Sequence, residues 1–215
     1  MTAAASRLRR LAAPASPPVV LDSPERCDLC SEPIVPQHRH VVDLQVRSLL
    51  CACRACVVLL DRPGAGGSHY RLVPERRLRL DAFRLDEPAW ASFRIPVDLA
   101  FFFHSTAAGR ITAVYPGALG ATESRLDLDA WRQLELDNPV LGDLEADVEA
   151  LLVNRAGERR AHYLVPIDEC YALVGVLRTH WKGLAGGGEV WREIDSFFDR
   201  LRAQSRPAEE EQRWQ

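Results

Sequence analysis

The sequence predicts an α+β chain in which a small four-cysteine metal module, treble-clef or zinc-ribbon-like, precedes a larger α+β domain. Three observations carry this reading. Cys27 and Cys30 form one C-x-x-C pair, and Cys53 and Cys56 form a second after 22 intervening residues. Short apolar runs bounded by Gly, Pro, Asn and Ser recur between residues 70 and 165, as strands do. Two segments near the C-terminus carry helical spacing instead.

The chain divides by composition. Residues 1–23 are rich in Ala, Pro, Ser and Arg and read as a disordered tail with no core to join. Prolines break its apolar part, so no signal peptide is expected. Residues 24–62 hold the metal module and 63–69 a Gly-rich linker without the lysine or spacing of a phosphate loop. Residues 70–205 form the α+β domain and 206–215 a charged tail. Net charge is −3, which argues against a nucleic-acid partner. No apolar run approaches 18 residues, so no membrane insertion is expected. Cysteines clustered in two tight pairs fit a metal in a reducing cytoplasm better than disulfides.

Within the module, Ser31 to Gln37 reads as the knuckle turn, and residues 38–44 and 45–51 as two short strands of a hairpin. Val57 to Leu60 then begin a helix, giving a treble clef, or a strand, giving a zinc ribbon. A helix would place the last two thiols at its N-terminus, where backbone N–H groups favour thiolate. Cys27, Cys30, Cys53 and Cys56 are the candidate ligands. Zinc suits four thiolates in a closed tetrahedron and stabilises a module too small for its own core. The alternative is iron or an iron–sulfur cluster on the same cysteines. Rubredoxin-type knuckles usually carry Gly after the second cysteine, and Ser31 and Val57 depart from that pattern. Cys51 reads as a small buried hydrophobe beside the site, with a fifth cluster thiol, or a replacement ligand if the register slips, as the other readings. His38 and His40 share a strand face and read as hydrogen-bonding or surface groups. Neither Rieske nor HNH-nuclease spacing surrounds them.

In the larger domain the sequence predicts a strand at Tyr70–Val73 and helical spacing over Leu80–Trp90, interrupted around Asp86, Glu87 and Pro88. Strands follow over Val97–His104 and Arg110–Tyr115, then a turn over Pro116–Gly120. Asp127 or Asp129 caps a helix over Leu128–Leu136. Val148–Val153 and His162–Val165 are strands, and Asp168 caps a buried helix running to Trp181. After a loop at Gly186–Gly188, Glu189 opens the last helix, with Val190, Ile194, Phe197, Phe198 and Leu201 on one face. No catalytic set assembles. His104, His162 and His180 are scattered, Ser124 lacks a nucleophile-elbow context, and Cys170 reads as a core thiol. Arg178, His180, Trp181 and Lys182 read as a cationic helix end.

Several phrases occur together: CDLC, HRHVVDL, LLCACRAC, IPVDLAFFF, AGRITAVYPG, GATES, VEALLVNR and LVPIDECYALVGVLRTHWKGLAGGGEVWREI. Over Arg26 to Leu201 they resemble an actinobacterial protein family of unknown function encoded near high-affinity uptake nickel–iron hydrogenase genes. The resemblance implies a hydrogenase-linked accessory role, in maturation or in passing electrons onward. It also implies a protein partner, a hydrogenase subunit or a maturation factor. Cys27, Cys30, Cys53 and Cys56 are the positions such a role would use. The expected function is therefore a non-enzymatic, metal-binding accessory protein with a structural zinc site. A rubredoxin-like or iron–sulfur electron-transfer protein is the alternative.

Overall fold

The computed structural model describes residues 25–62, 64–65, 67, 69–117, 120–156, 160–180 and 187–208. The expected N-terminal tail, Trp181, Lys182, the helix stop at Gly183 and most of the C-terminal tail lie outside them.

The chain opens with the knuckle and the hairpin of β1 (Arg39–Asp43) and β2 (Ser48–Ala52). Asp43 accepts from the amides of Gln45 and Val46, and Arg47 takes a φ of 55° to close the turn. Helix α1 (Arg54–Leu60) follows at once. The treble-clef alternative is thus the one adopted. Gly64 and Gly67, both at positive φ, then turn the connector. Tyr70–Leu72 does form a strand, β3, but it pairs antiparallel with β1 and completes a three-stranded sheet, β2-β1-β3, on the module side. Its hydrogen-bonding edge is satisfied by β1, which no local pattern announces.

The larger sheet has the order β10-β4-β9-β8-β5-β6-β7. Its strands are β4 (Leu78–Arg79), β5 (Leu99–Ser105), β6 (Arg110–Gly117), β7 (Gly120–Arg125), β8 (Glu149–Asn154), β9 (Ala161–Pro166) and β10 (Arg206–Pro207). All pairs are antiparallel except β10 with β4. Both faces are covered. Phe101, Phe103, Leu152, Tyr163 and Val165 point to one side, against α4 (Ile167–His180) and α5 (Gly187–Gln204). Ala100, Phe102, Leu151, Val153 and Leu164 point to the other, against α2 (Glu87–Ser92) and α3 (Leu128–Asp137). Burial on both faces explains why LAFFF and ALLV are continuous rather than alternating apolar runs. Val190, Ile194, Phe197, Phe198 and Leu201 of α5 are all buried, as their spacing predicts.

Four elements differ from the sequence expectation. Leu80–Trp90 is not one helix. Leu78 and Arg79 pair with β9, the Leu80 amide continues that edge to the His162 carbonyl, and only Glu87–Ser92 is helical, capped by Asp86. Buried Asn138 clasps the extended segment between, accepting from the Arg84 amide at 2.7 Å and donating to its carbonyl at 2.9 Å. Gly120–Arg125 is an edge strand, polar enough to escape an apolar-run search. Gly187, not Glu189, opens α5. Arg206, expected in a frayed charged tail, donates its amide to the Arg77 carbonyl and anchors β10.

The two sheets are joined by polar bonds around the start of α4. His40 of β1 meets Asp168, and Arg71 of β3 reaches the Ala146 carbonyl, just before β8, at 3.0 Å. Val42 and Leu49 of the hairpin pack against the larger core.

Two ionisable groups within the sheet, one paired and one neutral, should dominate its response to mutation and pH. Glu149 is fully buried and takes a forked ion pair from Arg76, at 2.9 and 2.6 Å. Arg76→Ala strands that carboxylate and should cost about 3–5 kcal/mol, read from urea unfolding curves. His162 packs against Phe83 with ring centroids 4.8 Å apart. Burial, helped by Arg155 and Arg160, lowers its pKa from 6.5 to about 4. Between those values the unfolded chain takes up a proton that the folded chain refuses, so stability falls as pH falls through the window. His162→Phe should remove roughly 1–2 kcal/mol of the loss between pH 7 and 5, measured by unfolding at both.

Candidate metal centre

The four predicted ligands converge. One Sγ from each of Cys27, Cys30, Cys53 and Cys56 lies within 4.8 Å of all the others, and Cys30 and Cys53 stand 3.6 Å apart. A tetrahedral thiolate shell with metal–sulfur bonds of about 2.3 Å has edges of about 3.8 Å. The cluster therefore fits one ion of zinc or iron size, and a four-cysteine site capable of coordinating a metal is present.

Local structure delivers each sulfur. In the knuckle the Ser31 amide bonds to the Cys27 carbonyl and the Cys27 amide to the Glu32 carbonyl, both at 2.8 Å. Ser31 holds a φ of 64°, the left-handed conformation that glycine takes more cheaply. The knuckle turns as a glycine-bearing one would, although the sequence carries serine there. Asp28 and Cys51 fasten it to β2: each donates its amide to the other residue, at 2.9 and 2.7 Å. The second pair is built differently. Cys53 is the cap of α1, and its sulfur accepts from the Cys56 amide at 3.5 Å. One knuckle plus one helix start is a treble-clef arrangement, whereas a rubredoxin pattern needs two knuckles.

Crowded sulfurs share their protons unequally. Burial raises the Cys27 thiol, but N–H groups of Cys53, Leu29 and Cys30 and the Cys30 side chain outweigh it and bring the pKa down to about 6. The Glu32 amide lowers Cys30, yet the neighbouring Cys53 and Cys27 sulfurs leave it raised. Burial and the three other thiols push Cys56 up strongly. Cys27 and Cys53 are buried, Cys56 half-buried and Cys30 exposed.

Cys51 is not a fifth member. It joins His38 and His40 in a second group, and burial with the Glu25 and Asp28 carboxylates pushes its thiol up to about 11. Among the described residues no other set of His, Cys, Asp or Glu gathers in this way, and His104, His162 and His180 stand outside both groups. His180 instead lies 3.3 Å from Glu189, tying α4 to α5. Cys170 is fully buried in the larger core, which holds its thiol well above the usual range. Asp168 does not cap α4 as the sequence suggests, because the helix already begins at Ile167. Its Oδ2 accepts from His40 Nδ1 at 2.8 Å. The two residues are 128 positions apart, so no local signal could have paired them.

These features define a four-cysteine, treble-clef-like module joined to an α+β domain. The model of the family of unknown function DUF5947 matches residues 26–205, and the chain belongs to that family. No curated protein and no solved structure matches the chain.

Replacing Cys27 or Cys53 by Ser should strip the metal from this site and open residues 25–62 to protease. Elemental analysis and limited proteolysis check this; unchanged metal content in both variants would reject the ligand assignment.

Proposed function

We propose that the chain is a metal-binding accessory protein whose four-cysteine site holds a structural zinc ion. The observation that carries this is the closed set of four thiols at the joint of knuckle and helix, where every ligand position of a tetrahedron is taken by sulfur. A closed tetrahedron leaves no place for substrate, so the ion's work is to hold the module's shape.

The shape presents an apolar surface. Helix α1 buries none of its residues, and Val58 and Leu59 are 58% and 66% exposed. With Val35, 64% exposed, Val58 lines a groove of about 600 Å³ that also takes in His38, Cys53 and Glu75. A groove with this rim suits a protein partner. The resemblance described above supports a nickel–iron hydrogenase subunit or maturation factor in a reducing cytoplasm. Among the described residues no helix is long and apolar enough to cross a membrane.

A second reading rests on the exposure of Cys30. Iron on the same thiolates, with one sulfur at the surface, would make the protein an electron carrier. Elemental analysis with a visible spectrum on protein purified without air separates the two. Zinc without colour is the expected result; iron with thiolate-to-iron charge-transfer bands would establish the carrier instead. The partner is tested by co-purification of the host's hydrogenase on the tagged chain. Leu59→Asp together with Val58→Asp should abolish it with metal content unchanged.

A further inference from the structure

His38, His40 and Cys51 each offer one ligand atom, and the three lie within 4.8 Å of one another. The two histidine rings meet edge to face with centroids 4.8 Å apart, and Cys51 sits directly across the hairpin from His40. Hydrogen bonds fix the tautomers. His38 Nδ1 lies 3.0 Å from the Val35 carbonyl, which can only accept, so Nδ1 carries the proton and Nε2 the lone pair. His40 Nδ1 lies 2.8 Å from the Asp168 carboxylate, with the same consequence. A carboxylate behind one ring nitrogen with a free lone pair on the other is the arrangement that metal-ligating histidines adopt.

His38 is decisive. Its side chain is only 9% exposed, and its Nε2 is buried with no hydrogen-bond partner. An Asp–His pair at a seam between two sheets would account for His40 alone. It accounts neither for an orphaned imidazole nitrogen beside it nor for a thiol facing it. A buried polar atom without a partner calls for one.

We propose that His38, His40 and Cys51 form a second metal site, a three-ligand site for a divalent transition ion of zinc's type, with its fourth position open to water. Glu25 stands outside the set: its Oε1 accepts from the Cys51 thiol at 3.6 Å, and its Oε2 lies 3.8 Å from His38 Nδ1, on the side of the ring turned to the Val35 carbonyl. Two imidazoles and a thiolate suit zinc or cobalt, and calcium or magnesium would refuse the sulfur. On binding, the Cys51 thiol gives its proton to solvent as the metal–sulfur bond forms. The site shares no ligand with the four-cysteine set and stands or falls separately.

The full chain, reduced, loaded with excess zinc and desalted, should carry two ions, one for each ligand group. Zinc X-ray absorption should show a mixed shell of sulfur with nitrogen or oxygen. The double variant H38Q/H40Q, and Cys51→Ser, should each keep one ion in an all-sulfur shell. A single ion in an all-sulfur shell in the wild type, or two ions in H38Q/H40Q, would overturn the proposal. A single ion in a sulfur–nitrogen shell would support this site and remove the four-cysteine reading instead. The wild-type measurement needs no variant to fold.

Discussion

The module has almost no core, and that constraint shapes everything around it. Within residues 25–62 the buried side chains are Cys27, Val41, Ala52 and Cys53. Two of the four are candidate ligands. So little apolar burial cannot offset the entropy of ordering the segment. The sulfurs themselves must hold the knuckle to the start of α1. An ion bound there would supply the cross-link that a hydrophobic core supplies elsewhere. The left-handed Ser31 fits this account: a strained turn persists where its surroundings over-determine it, and here Cys27 and Cys30 just before it and the Cys27 amide bond to the Glu32 carbonyl just after it fix its path.

The module's second support is the larger domain. Hairpin alternation sends His40 and Val42, with their partners Cys51 and Leu49, toward one face. Val42 and Leu49 on that face join the larger core, and His40 reaches Asp168 at the start of α4. One side of the hairpin is therefore a seam, part apolar and part ionisable. The groove lined by Val35, Val57 and Val58 lies with the knuckle and α1, which the four thiols hold.

How much of this was legible follows from where each signal lies in the chain. The C-x-x-C pairs are local and stereochemically demanding, so the four sulfurs could be read directly; whether Val57 to Leu60 is helix or strand could not, and the knuckle's bonds run over Cys27 to Glu32 rather than over the Ser31 to Gln37 that the sequence suggests. The central strands could be read because burial on both faces makes them uniformly apolar. Helices α3 and α5 could be read because one face of each is dry. The rest was hidden for identifiable reasons. Leu78–Arg79 and Arg206–Pro207 are two-residue strands whose pairing is set by distant partners. Edge strand β7, GATESR, has a polar composition. Leu80 to Trp90 keeps helical spacing by coincidence, and Asn138, some 54 positions from Arg84, holds part of it extended. His38, His40 and Cys51 stand out in the sequence, yet their grouping does not, because it depends on cross-strand register and on Asp168.

The strand β2 shows how two different ligand environments come from one short stretch. Cys51 is still in the strand and crosses the hairpin to His40, so it faces nitrogen and carboxylate groups. Cys53, two residues on, has left the strand and caps α1, so it faces sulfur. Strand periodicity alone would send both side chains the same way. The strand ending at Ala52 breaks that equivalence. The amide exchange between Cys51 and Asp28 sharpens the break, because it pins the knuckle to the last strand residue and leaves Cys53 free to turn toward Cys30. A chain that extended β2 by one turn of the pleat would lose the four-sulfur cluster. One that ended it two residues earlier would lose the contact with His40. The position of the strand end is therefore the feature on which both groupings rest.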